Sequence, residues 1–184
     1  MSAKKTKGTE PPDETEFFEK VTLYLARGNT RDENKKRARL LGYKSDGVMI
    51  APGAVVNVRA QENIGRNVYI GLYCYVNGDV TLEDNVLIGP HSTLPAGNHK
   101  FCAEKGWFSG RTEPDGDESI VVGKGSWLAA NVTVTGGVHI GCCNLICAGS
   151  VVTRSTPDYA IMAGAPAKQI GAIDPVTGEY HWYK

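Results

Sequence analysis

The sequence has no long apolar run, no surplus of either charge and no even set of cysteines. None of its apolar stretches approaches the roughly 18 residues needed to cross a bilayer, so no membrane-spanning helix is expected. Twenty basic and 20 acidic residues cancel to a formal charge of zero, which leaves no global field favouring nucleic acid or an anionic membrane. The opening MSAKKTKGTEPPDETE has lysines but no apolar segment behind them, so no secretory signal is read and a cytoplasmic protein is expected. Five cysteines, an odd number, argue against a disulfide framework; Cys74, Cys142 and Cys143 or Cys147 fit as small wall or interior residues. Cys143 and Cys147 have no second pair at zinc-finger spacing, so no structural metal is expected. Histidine is scarce too: there are four, so few side chains are available for proton transfer near neutral pH.

Also missing through the middle of the chain are the 3.6-residue period of a helix and the two-residue alternation of an ordinary strand. A six-residue period stands in their place. It runs Ile64, Ile70, Val76, Leu82, Ile88, Leu94 and again Val122, Leu128, Val134, Ile140, Ile146, Val152. All twelve are Ile, Leu or Val in a chain that is 41% apolar, and five are followed by glycine (Gly65, Gly71, Gly89, Gly123, Gly141). Two places before the ladder, small or β-branched residues recur: Val68, Val80, Val86, Ser92, Ser126, Val132, Val138, Ser150. A fixed six-residue period is the mark of a parallel β-helix with short strands stacked coil on coil. Counted at three hexads per turn, the ladder and its margins make about five coils, with a weak extension back to Val58 and an imperfect opening coil at Val48 and Ile50. The interior is narrow, so the aromatics Tyr69, Tyr73, Tyr75 and Trp127 are expected on the outside.

At the N-terminal side, residues 1–12 read as a disordered tail and 13–46 as a helical cap. Asp13 with Glu16 can start one helix, whose apolar face carries Phe17, Val21, Tyr24 and Leu25. Thr30 with Glu33 offers a second capping box, and Gly42 a terminator. The basic run Lys35–Arg39 reads as a solvated helix face. The β-helix then occupies 47–156 with an inserted loop at 95–119, and a C-terminal segment fills 157–184. That segment ends in EYHWYK, whose aromatics can pack on the body or on a neighbouring subunit.

The ladder fails once, between Leu94 and Val122, where PAGNHKFCAEKGWFSGRTEPDGDES has no period. A long loop inside a compact domain is usually functional or disordered, and this one holds Asn98-His99, Trp107, Phe108 and Arg111. The hexads, this loop and the closing AGSVVTR…MAGAPAKQI together resemble the hexapeptide-repeat acyltransferases, in particular the maltose, galactoside and xenobiotic O-acetyltransferase branch. The resemblance covers about 48–172. It implies a mainly β fold, a left-handed parallel β-helix with short N-terminal α-helices and an extended loop. It also implies a homotrimer with active sites between subunits and acetyl-CoA as donor along the outside of the coils.

Carried over by position, His99 matches the family's catalytic histidine. Ala130 and Ala148 match residues touching the CoA arm; Thr153 and Arg154 match a Thr-Lys pair near the nucleotide end, with Arg keeping the charge. Lys168 in Ala165-Pro166-Ala167-Lys168 matches a basic residue near the CoA phosphates or adenine. Asn77 falls near an acidic sugar contact of the galactoside enzymes, with Asn in place of Asp, and Asn98 is the other candidate acceptor contact. The N-terminal segment departs from the longer one of the maltose and galactoside enzymes, so their particular sugars do not carry over.

The chemistry is consistent with those residues. Moving an acetyl group from a thioester to a hydroxyl needs a base with a pKa near neutrality and a donor for the developing oxyanion, and no covalent intermediate. Spacing alone leaves His99 an exposed loop histidine; the broken period and the resemblance together make it the candidate base. His91 reads as structural and His139 as solvent-facing or at an interface, while His181 lies in the tail. Cys102 invites a Cys-His nucleophile, but no third, orienting residue is identifiable. Three other readings share the scaffold. One is N-acetylation of an amino sugar, another a non-catalytic assembly module. The last is a zinc enzyme of the γ-carbonic anhydrase type, for which His91, His99 and His139 lack ligand-like spacing.

Overall fold

The computed structural model describes residues 28–108 and 118–183. The expected tail, the first helix with Asp13, Glu16, Phe17, Val21, Tyr24 and Leu25, and Arg111 of the loop lie outside them.

The ladder closes into a parallel β-helix with three faces. The first stacks Met49–Ile50, Tyr69–Ile70, Leu87–Ile88, Trp127–Leu128, Leu145–Ile146 and Ala160–Gly164, all parallel. The second stacks Val55–Val58, Tyr75–Gly78, Thr93–Pro95, Thr133–Val134 and Val151–Val152. The third stacks Val80–Leu82, Ile120–Val122 and His139–Ile140, with Ile64 bridged to Leu82. The first face thus has six rungs where the ladder count suggests five coils. The additional pairing is at the ends, where the six-residue spacing lapses but the backbone ladder continues.

Burial explains the period. Ile70, Val76, Leu82, Ile88, Leu94, Val122, Leu128, Val134 and Ile146 are fully enclosed, and so are the corner residues Val68, Val86, Ser92, Ser126 and Ser150. Tyr73, Tyr75 and Trp127 lie outside, about half exposed. The glycines behind the ladder answer to the next coil. A Cβ on Gly89 would sit 2.5 Å from the carbonyl carbon of Ala129, and one on Gly71 2.7 Å from the Ile88 oxygen. Coils stacked about 4.8 Å apart have no room for it.

Two columns of left-handed residues turn the corners. One runs Gly47, Asn67, Asn85, Gly125, Cys143, Tyr159 and the other Gly53, Tyr73, His91, Asn131, Gly149, with φ between 55° and 73°. Asn adopts this backbone more readily than other side chains. In the first column Asn67 donates from Nδ2 to Asn85 Oδ1 at 3.2 Å; in the second, the Tyr73 and His91 rings stack at 5.3 Å.

Helix α1, Arg31–Leu40, covers the first coil. Its capping box is formed from both sides: Glu33 N–H donates to Thr30 Oγ1 (3.3 Å), and Thr30 N–H donates to Glu33 Oε2 (3.0 Å). The Thr30 hydroxyl, donating to Glu33 Oε2 at 2.6 Å, and then the Thr30 N–H hold the Glu33 carboxyl below the usual carboxylate range. Gly42 follows the helix at φ 92°. The reading of Lys35–Arg39 as a solvated face is corrected at Arg37, which is only 3% exposed. Its guanidinium donates to Asn34 Oδ1 (2.8 Å), the Ile50 carbonyl (2.8 Å) and the Gly28 carbonyl (3.1 Å). An open coil end presents carbonyls with no strand above them, and Arg37 satisfies one.

At the other end Ala160–Gly164 turns back through the antiparallel strands Ala167–Ile173 and Tyr180–Trp182. The aromatic tail therefore pairs with its own body by backbone, leaving Tyr180, Trp182 and Tyr183 more than half exposed. Buried Asn144 fastens this last coil, accepting from Ala160 N–H at 2.7 Å and donating to Thr156 Oγ1.

Candidate active site

Both legs of the long loop are anchored to neighbouring coils. On the way out Ala96 N–H donates to the Asn77 carbonyl at 2.9 Å; on return Ile120 N–H donates to the Asp79 carbonyl at 2.9 Å and Gly137 N–H to the Ser119 carbonyl at 3.1 Å. Pairing then resumes in register, with Leu128 beside Ile88 and Thr133 beside Thr93. The legs also touch each other. Asn98 N–H donates to Glu118 Oε2 at 3.1 Å, over Gly136 of the next coil, where a Cβ would come within 3.1 Å of Gly97 N.

His99 is the next residue and is exposed. Beyond it the loop is more ordered than its lack of period implies: Phe101–Cys102 pairs antiparallel with Trp107–Phe108. The Cys102 carbonyl accepts from Lys105 (3.2 Å) and Gly106 (2.9 Å), and the Phe101 and Phe108 rings meet edge to face at 5.5 Å. The available signal was short: two apolar pairs flanking a Glu-Lys-Gly turn.

The other candidate residues fall on two edges of the second face. Ala130 and Ala148 share the corner with the first face, joined by Gly149 N–H donating to the Ala130 carbonyl at 2.9 Å. Lys168, exposed, pairs with Ala163 just past the last rung of that corner. Thr153 and Arg154, also exposed, follow Val151–Val152 at the opposite edge. Asn77 lies on that edge too, next to Pro95 at the root of the loop, and its Oδ1 accepts from Asn57 Nδ2 at 2.9 Å. So Asn77, Asn98, His99, Thr153 and Arg154 belong to one edge, and Ala130, Ala148 and Lys168 to the other. Ala148 and Thr153 stand at opposite ends of the rung Val151–Val152, with the left-handed turn at Gly149 between Ala148 and that strand. Ala130 and Ala148 sit on adjacent coils, whereas Asn77 and Thr153 lie three coils apart along their shared edge, about 14 Å at ~4.8 Å per coil.

Two features here escaped the reading by spacing. Glu118 joins Asn98 from 20 residues away, and Ser119 Oγ meets His139 Nε2 at 3.2 Å on the third face. Cys74 is a wall residue as expected; its thiol donates to the Gly89 carbonyl at 3.1 Å, and burial pushes its pKa up. Among the described residues no three or more His, Cys, Asp or Glu side chains gather as a metal site, and no helix is long and apolar enough to cross a membrane. His91 stands at a corner, His99 on the loop and His139 on the third face.

Residues 63–96 match the bacterial transferase hexapeptide family (six repeats). A Saccharomyces cerevisiae protein, itself named only provisionally as an acetyltransferase, is 30% identical over 189 residues, covering 92% of this chain and 90% of its own. Galactoside O-acetyltransferase of Escherichia coli is 27% identical over 172 residues, covering 89% and 81%. Among solved structures, a maltose O-acetyltransferase from Clostridium difficile has the same fold (TM-score 0.58, 23% identity, 87% of each chain). So does a hexapeptide-repeat acetyltransferase from Vibrio cholerae, solved with acetyl coenzyme A (TM-score 0.52, 20% identity, 88% of this chain and 86% of that one). The chain belongs to the hexapeptide-repeat acetyltransferases: it is an acyltransferase built on a parallel β-helix.

Proposed function

We propose that this enzyme moves the acetyl group of acetyl-CoA to a hydroxyl of a small acceptor, a sugar or similar compound, with His99 as the general base. The observation that carries the reading is the one long departure from an otherwise regular coil among the described residues. It leaves from an anchored strand and reaches a histidine within a few residues. In the proposed step the imidazole takes the hydroxyl proton as the oxygen attacks the thioester carbonyl. Backbone N–H groups of the coil or loop face the oxyanion. Collapse expels the CoA thiolate, which recovers the proton from the imidazolium. Both substrates meet directly, so no acyl-enzyme forms.

Each remaining residue has a part suited to its chemistry. Ala130 and Ala148 are small enough for a pantetheine arm to lie close against the corner. Arg154 and Lys168 offer charge to the CoA phosphates, Thr153 a hydroxyl, and Asn77 and Asn98 amides to the acceptor. The division of these residues between two edges supports a homotrimer, in which the loop edge of one chain faces the alanine edge of its neighbour. This division and the titration range of imidazole support the reading; the acceptor class rests on the kinship with sugar O-acetyltransferases.

The test is acetyl-CoA consumption by wild type and Cys102→Ala with free, disaccharide and nucleotide-linked sugars, and with their amino-sugar counterparts. Turnover with hydroxyl acceptors and full activity in Cys102→Ala are expected. Turnover only with amino sugars would make the enzyme an N-acetyltransferase, and loss of nearly all activity in Cys102→Ala would replace direct transfer by an acyl-cysteine route.

A further inference from the structure

The neck of the loop holds a contact that the proposed chemistry has not used. The outgoing leg is fixed at Ala96 and the returning leg at Ser119 and Ile120, each by backbone bonds to adjacent coils. A side-chain bridge joins them, from Asn98 N–H to Glu118 Oε2 at 3.1 Å. Gly136 forms the floor: a Cβ there would lie 3.1 Å from Gly97 N, 3.4 Å from Asn98 Nδ2 and 3.4 Å from the Glu118 carbonyl oxygen. The side chain that follows this bridge is His99.

From this geometry we infer that Glu118 is a positioning residue for the imidazole of His99. Its carboxylate and the bare surface of Gly136 clasp the neck and set where the base stands. The inference rests on the reading of His99 as base. A base must sit within hydrogen-bond reach of the proton it removes, and a displacement of about 1 Å can cost on the order of a hundredfold in rate. One peptide unit separates the clasped N–H from the His99 backbone, so freedom at Asn98 passes directly to the ring. A charged acceptor holds a backbone N–H more firmly than a neutral one, which gives the carboxylate a purpose here. Gly136 serves by lacking a side chain, because a Cβ 3.1 Å from Gly97 N would require the neck to give by a few tenths of an ångström.

Three variants test it: Glu118→Ala, Glu118→Gln and Gly136→Ala, each alone and with His99→Ala. The readouts are kcat, KM for acetyl-CoA and hydrogen exchange at the Asn98 amide. Glu118→Ala should speed Asn98 exchange about tenfold and lower kcat about tenfold, with KM for acetyl-CoA within about twofold of wild type. Glu118→Gln keeps an acceptor oxygen but loses its charge, and its kcat should fall between those of wild type and Glu118→Ala. Gly136→Ala should lower kcat as Glu118→Ala does, because it moves the same neck. In the His99→Ala background neither change should reduce kcat further. Unchanged kcat in Glu118→Ala, or an equal loss in the two backgrounds, would overturn the inference. Should His99→Ala leave kcat intact, the base assignment itself fails. Faster Asn98 exchange in Glu118→Ala would then mark the bridge as purely structural, which also overturns a positioning role.

Discussion

Arg37 places a guanidinium where the first coil would otherwise present a bare carbonyl. Its bond to Ile50 joins α1 to the β-helix, and those to Gly28 and Asn34 hold the guanidinium in a nearly closed environment. Burial draws its pKa down, against the pull of Glu33, but a guanidinium stays charged at any working pH. Arg37→Ala removes those donors and leaves the Ile50 carbonyl enclosed without them, which is expected to cost about 3 kcal/mol. A urea melt checks this: the midpoint should fall with little change in slope, and Arg37→Lys should recover only part of the loss because an ammonium cannot span three acceptors in the guanidinium plane. Nothing in the run Lys35–Arg39 marks this residue out from its basic neighbours. Composition treats them alike, and only the packing of α1 on Ile50 separates them.

At the scale of the coil, the demands are repetitive and local, so much of the fold is legible in the chain. The twelve ladder residues are inward because each hexad meets the same narrow interior, and the six-residue period states that directly. The glycines after the ladder were visible as a pattern, while their cause, the backbone of the next coil, exists only after stacking. Gly89→Ala should therefore destabilise by about 2 kcal/mol or more through overpacking against Ala129. Gly149→Ala meets open space and pays only for a left-handed backbone, about 1 kcal/mol. Thermal melts of the two variants should rank in that order. The corner columns were legible only in part: Gly or Asn fills seven of the eleven positions, but Tyr73, His91, Cys143 and Tyr159 adopt the same backbone without that preference. The candidate site was legible as an interruption: the count fails between Leu94 and Val122, and His99 lies inside the failure. Glu118 was not, since a carboxylate 20 residues from Asn98 becomes its partner only when the two legs of the loop meet.

For the whole molecule, the decisive feature is that the candidate residues divide between two edges of one prism face. A single chain leaves the loop edge and the alanine edge at opposite ends of each rung, and a second chain laid alongside can bring one edge against the other. Sedimentation equilibrium should give three times the chain mass. Co-refolding His99→Ala with Ala148→Trp should restore activity that neither variant has alone, since mixed assemblies rebuild some sites from two intact edges. The second expectation also depends on the claim that His99 is the base. It is tested most directly by the kcat of His99→Ala at saturating acetyl-CoA and acceptor, with CoA affinity measured on the same preparation. A fall of about 10²–10⁴ in kcat with CoA affinity unchanged is expected; turnover equal to wild type would rule out His99 as the base.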